Sequence, residues 1–360
     1  MIYDFRNFKG VENFAFGRGC FNHLDSILDK KRNSSEDFMV FLLDDVFKGK
    51  ALEKRLPVKH NDLLIFINVK DEPKTKEVDR LRDEILQFSK QLPVGIIGIG
   101  GGSVMDYSKA ISMMITNPGS SAQYQGLDLI KNPGIFNVCI PTLAGTGAEV
   151  SMTTVLTGPE KKLGIKCDYT VPNQILLDPE LTQGAPLEQR FFTGMDCYIH
   201  AVESLSGTWK NPFSDAFAQK SLEMCRSVFL DHEPGIDADE ILMVASYLGG
   251  LSLTYSQVGV CHALGYGLSY VLDIHHGLAG CLAFNQLEDY YPQGVKDFHK
   301  MLEKNNIKLP LNVCKNATDE QIRKMAQTTY NLEHMWDHAL GKDWKNKITI
   351  EQIEDLFRRI

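Results

Sequence analysis

The sequence predicts two domains of different class, an α/β domain over residues 1–182 and an all-α domain over residues 183–360. Three observations carry the prediction. Apolar runs of strand length alternate with helix-patterned segments in the first half. A glycine-rich turn joins one of those runs to the next helix. Past about Pro186 strand-like runs give way to long helical segments, which places the boundary between residues 180 and 186.

In chain order, MVFLLD (Met39 to Asp44), LLIFINV (Leu63 to Val69), VGIIGI (Val94 to Ile99) and FNVCIP (Phe136 to Pro141) have strand length and strand composition. Between the second and third, TKEVDRLRDEILQFSK carries Val78, Leu81, Ile85 and Phe88 at helical spacing. Strands that alternate with helices pair in parallel, with the helices covering the sheet. In the second half, DEILMVASYLGGLSLTYSQ and KITIEQIEDLFRRI read as helices, the former nearly all apolar and therefore buried. No internal repeat or low-complexity segment interrupts either half.

A chain of 360 residues with 43% hydrophobic and 23% charged side chains is an ordinary globular composition. The net charge of -8, without a run of Lys or Arg, argues against nucleic acid as a partner. The start, MIYDFRNFKG, lacks a basic-then-apolar leader pattern, and no apolar run approaches the roughly 20 residues that span a bilayer. A cytoplasmic protein without a membrane partner is expected. The eight cysteines contain no CxxC pair and several sit in apolar runs, as small core thiols do in a reducing compartment.

Chemistry enters at GIIGIGGGSVMDYSKAI. Gly101, Gly102 and Ser103 stand where a buried strand turns into a helix, and free backbone N–H groups at a helix start suit a pyrophosphate. A tight turn with close helix packing explains the same glycines. The acid expected about 20 residues after a Rossmann glycine motif is missing. Asp44, at the end of an earlier strand, takes its place as the candidate for a ribose diol and favours NAD over NADP. A solvated turn with Asp45 is the alternative.

In GMDCYIHAVES, Asp196 and His200 lie one helical turn apart and point the same way. Alone, such a pair is ordinarily a helix-surface hydrogen bond. His262 in GVCHALGYG and His275 and His276 in DIHHGLAG add imidazoles in the same helical half, and a carboxylate with several imidazoles suits zinc or ferrous iron.

Together these segments resemble the iron-containing (group III) metal-dependent alcohol dehydrogenases. GIGGGSVMDYSKAI resembles the family's cofactor loop, IPTLAGTGAEVS its second nucleotide-contacting segment, and LLDPELTQGAPLEQRFFTGMDCYIHAVES the stretch with its first two metal ligands. The resemblance implies a Rossmann-like domain and a helical domain of the kind shared with dehydroquinate synthase. It implies Asp196, His200, His262 and His276 as ligands of Fe2+ or Zn2+. It also implies Gly101, Gly102, Ser103, Asp106, Thr142, Leu143, Thr146 and Lys162 around NAD, although EKKLGIK also suits an exposed hairpin. The activity implied is oxidation of an alcohol to a carbonyl compound with hydride transfer to NAD, in a homodimer.

Two departures bear on proton release. Where many members carry a second histidine four residues after the third ligand, this chain has Tyr266, and His275 stands where proline usually precedes the last ligand. Tyr266 and His275 are therefore the candidate catalytic residues, with a phenol the poorer base. With the ending GKDWKNKITIEQIEDLFRRI, these features resemble a subgroup acting on sugars. They imply as substrate the terminal C8 hydroxymethyl of 3-deoxy-D-manno-octulosonate (Kdo), in lipopolysaccharide synthesis, with either NAD or oxygen as final acceptor. The competing readings are a dehydrogenase of another small alcohol or polyol, a dehydroquinate-synthase-like cyclase, and a non-catalytic nucleotide-binding protein with a structural metal.

Overall fold

The computed structural model describes residues 7–360; the first six, read above for a leader pattern, lie outside the described residues. The chain divides into two compact units. One comprises the chain up to Thr142 with Ala148–Thr182, the other Leu143–Gly147 with Gln183–Ile360.

The first unit contains β1 (Asn13–Phe16), β2 (Met39–Asp44), β3 (Leu63–Ile67), β4 (Gly95–Gly100), β5 (Gly126–Leu127), β6 (Asn137–Pro141), β7 (Thr153–Thr157), β8 (Lys162–Lys166) and β9 (Gln174–Leu177). Six of them form a sheet in the order β1-β9-β6-β4-β2-β3, and every pairing in it is parallel. Its central strands are buried on both faces. Val40 and Leu42 of β2 face one core with Val78, Leu81, Ile85 and Ile111, while Met39, Phe41 and Leu43 face another with Leu24 and Leu28. That is the period-2 division expected of a strand with helices on both sides. β5, β8 and β7 form a small second sheet, in which β7 and β8 make an antiparallel hairpin.

This strand order positions a ligand edge. β2 leads to β3 on one side and β4 leads to β6 on the other, so the connections leaving β2 and β4 diverge. Open α/β sheets hold ligands in that crevice, at the carboxyl ends of the strands. Asp44 ends β2, and Gly100 ends β4.

The second unit is helical, with Leu187–Ser206, Ile236–Tyr255, Val260–Leu272 and His276–Phe284 among its helices. Among the described residues no single helix is long and apolar enough to cross a membrane. All eight cysteines are free thiols. One segment departs from the predicted boundary. Leu143–Gly147 belongs to the helical unit because Gly145 and Gly147 donate their backbone N–H groups to Ser246 Oγ, at 2.8 and 3.3 Å.

Candidate metal centre

The helix Leu187–Ser206 is entered through Pro186 and left at Gly207. It is buried over most of its circumference, so Asp196 and His200 project into protein rather than water. The helix Val260–Leu272 brings His262 to the same place, and the helix His276–Phe284 brings His276 as its first residue. One ligand atom each from Asp196, His200 and His262 lies within 4.8 Å of the other two. His276 Nε2 is 3.4 Å from Asp196 Oδ1, which also lies 3.5 Å from His200 Nε2 and 3.3 Å from His262 Nε2. The rings of His200 and His262 stack at 4.7 Å.

The electrostatics are those of a cation site. Asp196 Oδ2, His200 Nδ1 and His262 Nε2 are buried and make no hydrogen bond. Buried polar atoms without partners are rare, and each is costly unless something satisfies it. Burial opposes charge on Asp196, but the surrounding imidazoles of His200 and His276 hold its carboxyl well below the ordinary carboxylate range. Burial drives His200 down to about 4, which leaves it neutral and able to donate a lone pair. His262 is also penalised by burial, yet the Glu203 carboxylate overrides that and raises it to about 10, so without a metal the ring holds a second proton, which a cation at Nε2 would displace. The donor set of one carboxylate and three imidazoles fits a divalent transition metal. Access is one-sided: the side chains of Asp196, His200 and His262 are 3–5% exposed, whereas His276 is 26% exposed.

Of the two candidate proton-transfer residues, Tyr266 is buried with its ring 6.0 Å from that of His276. His275 is exposed, and its carbonyl accepts the Ala279 N–H at the start of the last ligand helix.

The candidate cofactor residues divide between the two units. Asp44 is buried and accepts Val46 N–H; burial raises its carboxyl. Its Cβ would stand 3.2 Å from a Cβ added at Gly100, where a side chain would also strike Val104 at 2.6 Å. The close-approach glycine is therefore Gly100, while Gly101 and Gly102 are partly exposed at the start of the helix Gly102–Met114, with Ser103 beside them. Asp106 on that helix accepts Val155 N–H, and its carbonyl accepts the Thr154 hydroxyl, so it ties the helix to β7. Thr142 donates its backbone N–H to Gly100 O at the end of β6. Leu143 and Thr146 belong to the helical unit. Lys162 corrects the exposed-hairpin reading: it lies on a hairpin strand but is buried, with Nζ 3.0 Å from Glu72.

Glu203, Lys109 and His338 were not singled out from sequence. Glu203 follows Asp196 and His200 at i+7 and i+3, the continuation of one helix face, and that spacing was the available signal. Lys109 is buried with Nζ on the carbonyls of Ala148, Ser151 and Thr153, a role that no spacing discloses.

Residues 12–179 match the family model for iron-containing alcohol dehydrogenase, and residues 191–339 match the model for the C-terminal part of the Fe-containing alcohol dehydrogenase family. The chain belongs to the iron-containing alcohol dehydrogenase family, a family of oxidoreductases.

Among its relatives is the sulfoacetaldehyde reductase of Bilophila wadsworthia, 32% identical over 236 residues, which are 64% of this chain and 60% of that one. The match thus spans less than two thirds of that relative's length. The fold is that of the alcohol dehydrogenase from Oenococcus oeni, with a TM-score of 0.83 at 20% identity and 98% of each chain covered. It is also that of the sulfoacetaldehyde reductase from Bifidobacterium kashiwanohense, solved in complex with NAD+, with a TM-score of 0.79 at 22% identity, covering 99% of this chain and 98% of that one.

Proposed function

We propose that the protein is a metal-dependent oxidoreductase that interconverts an alcohol and its carbonyl compound with NAD, and that Asp196, His200, His262 and His276 hold the metal. The observation that carries this reading is the convergence of one ligand atom each from buried Asp196, His200 and His262 within 4.8 Å, in a cluster whose Asp196 Oδ2, His200 Nδ1 and His262 Nε2 have no hydrogen-bond partner, with family membership supplying the reaction class. When bound, a divalent metal supplies Lewis-acid polarisation of the substrate hydroxyl and NAD supplies the hydride acceptor.

The chain's own residues do the rest. Asp196 contributes the negative charge, and His200 stays neutral and keeps its lone pair at working pH. The apolar surroundings of the ligand helices exclude water, and the more exposed His276 marks the side from which substrate enters. Tyr266, against the His276 ring, and the exposed His275 next to it in the chain form the outlet for the hydroxyl proton. Asp44, Gly101, Gly102, Ser103, Asp106, Thr142, Leu143, Thr146 and Lys162 are assigned to the nucleotide. The divergence of the chain after β2 and β4 supports that assignment for Asp44 and the glycines.

The finer reading is that the substrate is the C8 hydroxymethyl of 3-deoxy-D-manno-octulosonate, as for a bacterial Kdo 8-oxidase. Tyr266, His275 and the closing segment GKDWKNKITIEQIEDLFRRI support it. The test is turnover of metal-reconstituted protein with small alcohols, polyols and Kdo, under anaerobic conditions with NAD and again in air with an oxygen electrode. Reduced nicotinamide accumulating with one of these substrates supports the dehydrogenase. Oxygen uptake on Kdo without net reduced nicotinamide supports the oxidase. No turnover with any alcohol, by protein carrying one metal per chain, refutes the catalytic reading.

A further inference from the structure

The metal reading leaves one buried acid unused. Glu203 lies on the same helix as Asp196 and His200, one turn beyond the second, and its side chain is fully buried. Neither oxygen is available to a metal. Oε2 accepts His262 Nδ1–H at 2.5 Å, and Oε1 accepts the backbone N–H of Cys261 at 2.7 Å and the hydroxyl of Tyr291 at 3.1 Å. A buried carboxylate with three donors is a fixed acceptor.

We propose that Glu203 is a positioning residue: by accepting His262 Nδ1–H it fixes that ring's tautomer and orientation, so that Nε2 is the atom turned toward Asp196 and the metal. An imidazole offers one donor and one acceptor nitrogen, and the hydrogen bond made by one decides which is free to ligate. The unpartnered atom of His262 is indeed Nε2, 3.3 Å from Asp196 Oδ1.

Glu203 is itself held from two sides. Tyr291 donates to its carboxylate while accepting Val260 N–H, which ties the acid to the first turn of the His262 helix. His338 donates from Nε2 to the Glu203 carbonyl at 3.0 Å, and its Nδ1 accepts Trp209 N–H, a consistent tautomer. The approach of His338 requires a glycine at the helix end, because a Cβ on Gly207 would lie 1.9 Å from the His338 ring.

The inference rests on the metal assignment above, so the test separates the two. Metal-free wild type, Glu203→Gln, Tyr291→Phe and His262→Ala proteins are titrated with Co2+, reading affinity and the visible ligand-field spectrum, and each is melted without metal. Wild type is expected to bind one Co2+ and His262→Ala to lose it. Glu203→Gln is expected to bind roughly 10–100-fold more weakly with an altered spectrum. Tyr291→Phe should lose affinity by a smaller factor and decides the matter if Glu203→Gln does not fold. A folded Glu203→Gln with wild-type affinity and spectrum overturns the positioning role and leaves the metal site standing. Wild type without stoichiometric Co2+, or His262→Ala binding as wild type does, overturns the metal assignment instead.

Discussion

Replacing Gly145 by alanine tests whether the Leu143–Gly147 loop is geometrically locked to the metal-bearing helix. Gly145 has φ +150°, and a Cβ there would lie 1.7 Å from the Thr193 carbonyl oxygen and 2.3 Å from its carbon. Real Cβ contacts essentially never fall under 3.0 Å, so the loop at Gly145 and the backbone at Thr193, three residues before Asp196, must separate by at least 1.3 Å (3.0 less 1.7). Forcing a side chain into that backbone region costs about 1–3 kcal/mol. The overpacking adds about 1–3 kcal/mol, for a total near 4 kcal/mol. A displacement of about 1 Å in a catalytic group can lower turnover on the order of 100-fold. Gly184→Ala is the control, because Gly184 has φ +84° with nothing within 4 Å and carries only the backbone strain, about 1–2 kcal/mol. The assay is urea unfolding of both variants without metal, followed by metal binding and turnover. If Gly145→Ala is no less stable than Gly184→Ala and binds metal normally, the steric argument fails.

Asp106 gives a pH prediction. Burial raises its carboxyl from 3.8 to about 6, partly offset by Lys109 and the Val155 N–H. The folded state then binds a proton that the unfolded state has released, so the group's contribution falls as pH rises from about 4 to 6. Asp106→Asn should gain about 3 kcal/mol relative to wild type between pH 3.5 and 7.5, read from paired urea titrations, and a flat difference refutes this. Lys162→Met removes the cation paired with the largely buried Glu72 carboxylate and should cost about 3 kcal/mol in chemical denaturation, most of it recovered in the Glu72→Gln, Lys162→Met double variant. Additive losses would deny the coupling. Chelation of the metal should leave a folded protein with a cooperative melt, and re-addition at 1,000 times the dissociation constant should stabilise it by about 4 kcal/mol. Unfolding on chelation would instead mark the metal as structural.

The parallel core was legible because both faces of its central strands are covered, which turns β2, β4 and β6 into unbroken apolar runs. The strands β1, β5, β7, β8 and β9 were not. β7 alternates between buried and half-buried positions, β7 and β8 include Thr or Lys, and β1 has no buried residue, with Phe14 and Phe16 exposed; β5 and β9 are only two and four residues long, although β9 is buried throughout. At the site, the i, i+4 pair Asp196 and His200 was readable because a helix converts spacing into direction. The meeting of His262 and His276 with that pair was not derivable from spacing, and it entered only as an implication of resemblance. Lys162 shows the opposite failure. Its charged neighbours Glu160 and Lys161 suggest solvent, but Glu72 arrives from a segment 90 residues away and makes burial possible.

Burying one carboxylate and several imidazoles in a helical core is costly unless each polar atom is satisfied. Beside the cluster, a carboxylate and a ring are fully satisfied by protein: Glu203 has three donors, and His338 both accepts and donates. Among the described residues seven buried side-chain nitrogen or oxygen atoms lack a partner; three of them, Asp196 Oδ2, His200 Nδ1 and His262 Nε2, belong to one cluster, and the other four belong to Arg32, Arg190, Asp215 and Arg226. Those four are single atoms on separate side chains, three of them guanidinium nitrogens, whereas the three in the cluster come from one carboxylate and two imidazoles that share a ligand position. The contrast between Glu203, with both oxygens bonded, and Asp196, with Oδ1 among three imidazoles and Oδ2 without a partner, seven residues apart on one helix face, is therefore the physical signature that separates a residue holding the site from a residue of the site.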